Sequence, residues 1–174
     1  MIRLQRGELN CGFERIALQR IETAGLETTM IDHRLAPYGA FVLRLALGTM
    51  FIAHAYLKLA VFTIPGFEGF LAQAGLPSLL AWPIILAEIF GGIALIAGLY
   101  ARYISLALLP ILLGAVAIHA PNGWLFTAVN GGWEYPAFLA VAALAQALIG
   151  DGAFALTPRR RIGHDLDRAA NYAA

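Results

Sequence analysis

Four apolar stretches, at about residues 38–62, 79–99, 103–120 and 135–154, take up most of this 174-residue chain. An α-helix needs roughly 20 apolar residues to cross a hydrocarbon layer of about 30 Å, and all its backbone hydrogen bonds are then made within the segment. The expected fold is therefore all-α, a bundle of four transmembrane helices. The fourth stretch is the exception in length: its apolar run from Tyr135 to Ile149 is short, and the span is expected to extend toward Phe154 or to lie in thinned bilayer. With 60% hydrophobic and 13% charged residues, the chain leaves only 1–35 and 158–174 outside this 36–157 membrane domain. Neither end is long or apolar enough to bury a core of its own.

Short connections make successive spans antiparallel, giving up-down-up-down order. The loops at 63–78 and 121–134 contain no Lys or Arg, whereas Arg102 lies in the 100–102 turn and Arg159, Arg160, Arg161 and Arg168 lie in the tail. Basic residues stay on the cytoplasmic side, so both termini are expected there. Trp82, Trp124 and Trp133 then fall at the outer interface, and Tyr38, Tyr100 and Tyr103 at the inner one. Residues 1–35, with five arginines among scattered apolar residues, read as a cytoplasmic or interfacial segment, with an amphipathic helix as one option and a solvated tail as the other.

Ionisable residues inside such spans mark candidate functional sites, because charge in hydrocarbon must be paired or used. Arg44, His54 and Lys58 share one face of the first span, since their separations place them within about 80° of one another around a helix. His54 lies about 24 Å along the helix from Tyr38, and Glu88 about 13 Å from the outer end of the second span. His119 and Glu134 occupy a similar outer depth. His54, Lys58, Glu88, His119 and Glu134 are therefore expected to converge in one polar pocket that binds a ligand or relays protons. Arg44 is deeper and set apart, and is expected to be a structural charge. Two cations against two carboxylates also fit a salt-bridge network that only fixes helix register. For Glu134, a place at a helix N-terminus is a simpler role, because the helix dipole favours a carboxylate there.

Several chemistries are disfavoured. Bis-histidine haem ligation would need His54 and His119 to face each other, and no dense metal-binding motif such as HExxH is present. A lone cysteine, Cys11, cannot form an internal disulfide relay. No phosphate-binding glycine loop, nucleophile elbow or nucleic-acid motif occurs. A quinone asks for less: an apolar slot, a His or Lys donor to a carbonyl oxygen, and a carboxylate to handle protons. In the second span Ala87, Gly91, Ala94 and Gly98 form a ridge of small residues that allows close helix contact, within the chain or between copies.

The same residues resemble the DoxX family of small bacterial and archaeal membrane proteins. The likeness rests on Arg44 with Gly48, Ala53-His54-Ala55-Tyr56-Leu57-Lys58, Gly75-Leu76-Pro77, Ala87-Glu88 with Gly91-Gly92, Gly98-Leu99 with Arg102, and Gly131-Gly132-Trp133-Glu134-Tyr135-Pro136. Ala55 and Thr157 stand where the family pattern has glycine and aspartate. The resemblance implies a four-helix inner-membrane protein engaged in membrane-associated redox or oxidative-stress processes. It would be quinone-linked or anchor a redox partner, as in a membrane subunit of a thiosulfate:quinone oxidoreductase. A scaffold with purely structural charges, from a different class, is the alternative, and a small-molecule permease is a third.

Overall fold

A computed structural model describes residues 32–157, which are helical and contain no strand. Most of the N-terminal segment, with its expected amphipathic helix, and the basic tail lie outside these residues. Five α-helices are present among them: α1 (Ala36–Tyr56), α2 (Thr63–Gln73), α3 (Ala81–Ala97), α4 (Ala101–His119) and α5 (Glu134–Ile149). Three continuous helical stretches are long and apolar enough to cross a membrane, Ala36–Val61, Ser78–Ala97 and Ala101–Asn122.

α5 is shorter, 16 residues or about 24 Å of helix. The expected extension of a fourth span to residue 154 is not met. Gly150, at φ 94° and ψ −160°, ends the helix at Ile149, and the chain turns back across the ends of α3 and α4. A second departure lies in the 63–78 connection, expected to be a loop, which forms α2. Its Phe67 and Leu71, four apart, are buried on one face, and Pro65 sits in the first turn, where proline lacks no needed hydrogen bond.

Small residues decide how closely the helices approach. A Cβ on Gly48 would lie 2.6 Å from the Gly92 carbonyl oxygen, and one on Gly92 would lie 2.8 Å from that of Gly48. α1 and α3 thus cross backbone against backbone. Gly91 receives the Leu108 side chain of α4, so two glycines of the α3 ridge region are occupied inside the chain. Leu47, Phe51, Leu95, Leu108, Leu112, Ala140 and Ala143 form the apolar core on this side. A second cluster, Ala55, Phe67, Leu71, Ala81 and Ile85, packs α2 against α1 and α3.

α3 ends in a Schellman turn. Leu99 N–H donates to Ala94 O at 2.9 Å and Gly98 N–H to Leu95 O at 3.0 Å, with Gly98 left-handed at φ 69°. Arg44 closes this end. Fully buried, it donates through Nη1 to Leu95 O (3.2 Å) and Ile96 O (3.0 Å) and through Nη2 to Ala153 O (2.7 Å). A cation here meets the negative end of the α3 dipole. The returning segment caps both helices: Asp151 Oδ1 accepts from Ala101 N–H at 2.6 Å, while Thr157 Oγ1 accepts from Tyr100 N–H at 2.6 Å and donates to Gly98 O at 2.8 Å.

Candidate functional site

At Leu57 the backbone of α1 widens into one π-helical turn, Leu57–Val61, in which Phe62 N–H reaches back five residues to Leu57 O at 3.0 Å. Such turns are rare and recur at functional positions. Lys58 sits in it. Its Nζ donates to both carboxylate oxygens of Glu88 on α3, at 2.7 and 2.8 Å, with side-chain exposures of 15% and 5%. The ammonium also lies 5.5 Å from the centroid of the Phe67 ring, which stacks on Phe70 at 6.3 Å. α2 therefore puts an aromatic wall beside the pair. Ala55 of α1, Phe67 of α2 and Ile85 of α3 belong to one apolar cluster, and Phe67 carries that cluster up to the ammonium.

His54, one helical turn before Lys58, has its ring fixed by the backbone. Its Nδ1 is 2.8 Å from Met50 O, and because a carbonyl only accepts, Nδ1 carries the proton. Nε2 of the neutral ring is then left with its lone pair. The imidazole stacks on Tyr135 of α5, with centroids 5.6 Å apart and planes 21° apart. The Tyr135 hydroxyl is buried and has no hydrogen-bond partner among the described residues. A buried phenol normally finds one, so this hydroxyl stands out as an unused donor.

His119 and Glu134 belong to a different setting, the α4–α5 connection. His119 Nδ1 donates to Gly131 O at 3.1 Å, and its ring lies 6.4 Å from Phe70. It meets the Lys58–Glu88 pair only through the Phe70 and Phe67 rings. Glu134 opens α5; its N–H donates to Trp124 O at 3.1 Å, and its half-buried carboxylate makes no hydrogen bond or ion pair to another described residue. Gly132 makes this junction by necessity, since a Cβ there would collide with the carbonyl oxygens of Gly123, Trp124 and Leu125. Trp124 and Trp133 then meet edge to face at 4.4 Å.

Of the five residues expected in one pocket, Lys58 and Glu88 are joined directly and His54 is one turn away, whereas His119 and Glu134 hold to the connecting loop. Arg44 lies instead with the carbonyls at the C-terminal end of α3 and of Ala153. Among the described residues no three His, Cys, Asp or Glu side chains form a group able to hold a metal. Tyr135 and the Phe67–Phe70 wall were not singled out from the sequence as parts of the site. Their signal was present in the i, i+3, i+4 spacing of Phe67, Phe70 and Leu71, within a segment punctuated by Pro65, Gly66 and Gly69. Chemically, the group offers a cation with one N–H left over, a free phenol donor and an imidazole lone pair, against an apolar wall. Donors of this kind can meet an electron-rich oxygen.

Comparison with known proteins identifies relatives. The family model described as DoxX matches residues 39–121. CatD of Bacillus subtilis (strain 168), a protein whose name alone marks it as an oxidoreductase, is 30% identical over 126 residues, covering 69% of this chain and 85% of that protein. No solved structure matches the chain significantly.

Proposed function

The chain belongs to the DoxX family, and from that premise we propose that it serves membrane-associated redox chemistry by holding the ring of a lipid-soluble quinone. The observation that carries this reading is the buried Lys58–Glu88 pair on a π-helical turn, flanked by the His54–Tyr135 stack with its unpartnered hydroxyl. Lys58 and Tyr135 would donate to one quinone carbonyl, and Phe67 would face the ring. Reduction to the quinol takes two electrons, supplied by a redox protein that the chain anchors, and two protons. His54 Nε2 and Glu88 are the groups placed to pass those protons. The oxidoreductase name of the Bacillus relative supports the same direction. The membrane would be the bacterial inner membrane, with both termini cytoplasmic, as the charge distribution favours.

One observation favours a second reading. Lys58 uses both oxygens of Glu88, so the pair is closed on itself as a structural clamp would be. The two readings separate in a variant that removes both charges while keeping volume, Lys58→Met with Glu88→Met, because replacing a whole buried pair by apolar groups is often tolerated. Wild-type protein purified in mild detergent is expected to carry a quinone detectable by mass spectrometry, and the folded double variant to lack it and to be inactive in cells. A folded double variant with full activity would leave the clamp as the role of the pair.

A further inference from the structure

Beyond the Lys58–Glu88 pair, on the other side of Phe70, an open groove of about 690 Å³ lies between α2, the last turns of α4 and the α4–α5 connection. Its volume falls within the range of small-molecule sites, about 300–1,000 Å³. Phe70, Gly114, Ala117 and Ile118 give it apolar walls, and His119, Asn122, Gln73 and Asn130 supply polar groups. The His119 and Asn122 side chains are both oriented by one carbonyl. His119 Nδ1 donates to Gly131 O at 3.1 Å, and Asn122 Nδ2 donates to the same oxygen at 2.8 Å and to Asn130 O at 3.2 Å. The 3.5 Å approach of Asn122 Nδ2 to His119 Nδ1 is two donors converging on that oxygen.

This arrangement fixes which atoms remain. Carbonyl oxygens accept only, so the imidazole proton is on Nδ1 and the amide nitrogen, not its oxygen, faces the loop. His119 is left with the Nε2 lone pair and Asn122 with Oδ1, two acceptors whose own donors are spent on the backbone. A ligand that satisfies them must bring hydrogen, and Phe70 offers it an aromatic face to lie against. We propose that this groove binds a hydroxyl-bearing aromatic ring, a phenol or hydroquinol, with its O–H donated to His119 Nε2 or Asn122 Oδ1. The chemistry is complementary to that of the Lys58–Tyr135 donors, which suit a carbonyl. The preceding reading bears only on the natural identity of the ligand, so a redox-inert phenol tests the groove independently.

The experiment uses the full-length protein in lipid nanodiscs, with 4-(trifluoromethyl)phenol and its methyl ether, 4-(trifluoromethyl)anisole, followed by fluorine NMR against empty nanodiscs. The phenol is expected to bind at least about tenfold more tightly than the ether, which cannot donate a hydrogen bond. Gly114→Leu fills the groove from a position where an added Cβ meets nothing within 4 Å, and is expected to abolish binding with the fold intact. His119→Phe keeps a ring but removes the acceptor, and is expected to erase the preference for the phenol. The Lys58→Met, Glu88→Met double variant is expected to bind the phenol as wild type does. A phenol carrying a decyl chain assigns the source: tighter binding supports a ligand drawn from the membrane, and equal binding supports one arriving through water. Equal affinity for phenol and ether, no binding above empty nanodiscs, undiminished binding by Gly114→Leu, a preference retained by His119→Phe, or loss of binding in the double variant would each overturn the proposal.

Discussion

Gly48 and Gly92 meet so closely that a Cβ on either would fall 2.6 to 2.8 Å from the carbonyl oxygen of the other. The crossing of α1 and α3 is set at this point, and it governs Glu88, one helical turn from Gly92, and Lys58 at the far end of α1. Backbone carbonyls cannot yield as a flexible side chain can, so Gly92→Ala must push the helices apart. We expect it to destabilise the protein by about 1–3 kcal/mol. Gly114→Ala, where a Cβ meets nothing within 4 Å, is expected to be neutral or to stabilise by up to about 1 kcal/mol through helix propensity. Thermal unfolding of the two variants in the same detergent checks the contrast.

Removing one partner of the Lys58–Glu88 pair leaves the other charge buried and uncompensated. Lys58→Met and Glu88→Met are each expected to cost about 3–5 kcal/mol, while Lys58→Met with Glu88→Met recovers most of the loss. A double-mutant cycle by thermal or denaturant unfolding measures the coupling, and additive single effects would contradict a direct pair.

Arg44 spreads its guanidinium across three carbonyls on two segments, a reach that a single ammonium cannot copy. Arg44→Lys is expected to lose at least one charge-assisted hydrogen bond and about 1.5–3 kcal/mol of stability. Thr157→Val removes a hydroxyl that both donates and accepts, and is expected to cost about 1 kcal/mol. Protease susceptibility of the 150–157 segment should rise in both variants; unchanged cleavage would argue against its docking on the ends of α3 and α4.

Orientation can be tested with single cysteines, because Cys11 is the only one in the chain. In a Cys11→Ser background, Val129→Cys, at a position 85% exposed in the α4–α5 connection, is expected to react with a membrane-impermeant maleimide in intact cells. Leu156→Cys, also exposed, is expected to react only after the cells are opened.

Much of this arrangement was legible before any coordinates, because hydropathy and charge act over whole segments. The apolar stretches stand out against Arg102 and the Gly-rich breaks, and the scarcity of charge within them leaves Lys58 few partners besides Glu88. What escaped reading depends on local backbone geometry. Pro65 and Gly66 look like loop residues, yet the apolar face of Phe67 and Leu71 organises them as α2. Gly150 ends α5 because the segment after it has hydrogen bonds to make with Pro37, Ala97 and Gly98, contacts that no local pattern announces. His119 and Glu134 have the right depth for a shared pocket, but depth says nothing of rotation, and the Gly131 carbonyl turns His119 toward its own loop.

The Arg44 contact also bears on how the protein is made. Ala153, the acceptor with the shortest of its hydrogen bonds, lies 109 residues downstream, so that bond can form only after the last described helix has been made. A chain that stops short of residue 153 lacks that acceptor and holds the guanidinium by the α3 carbonyls alone.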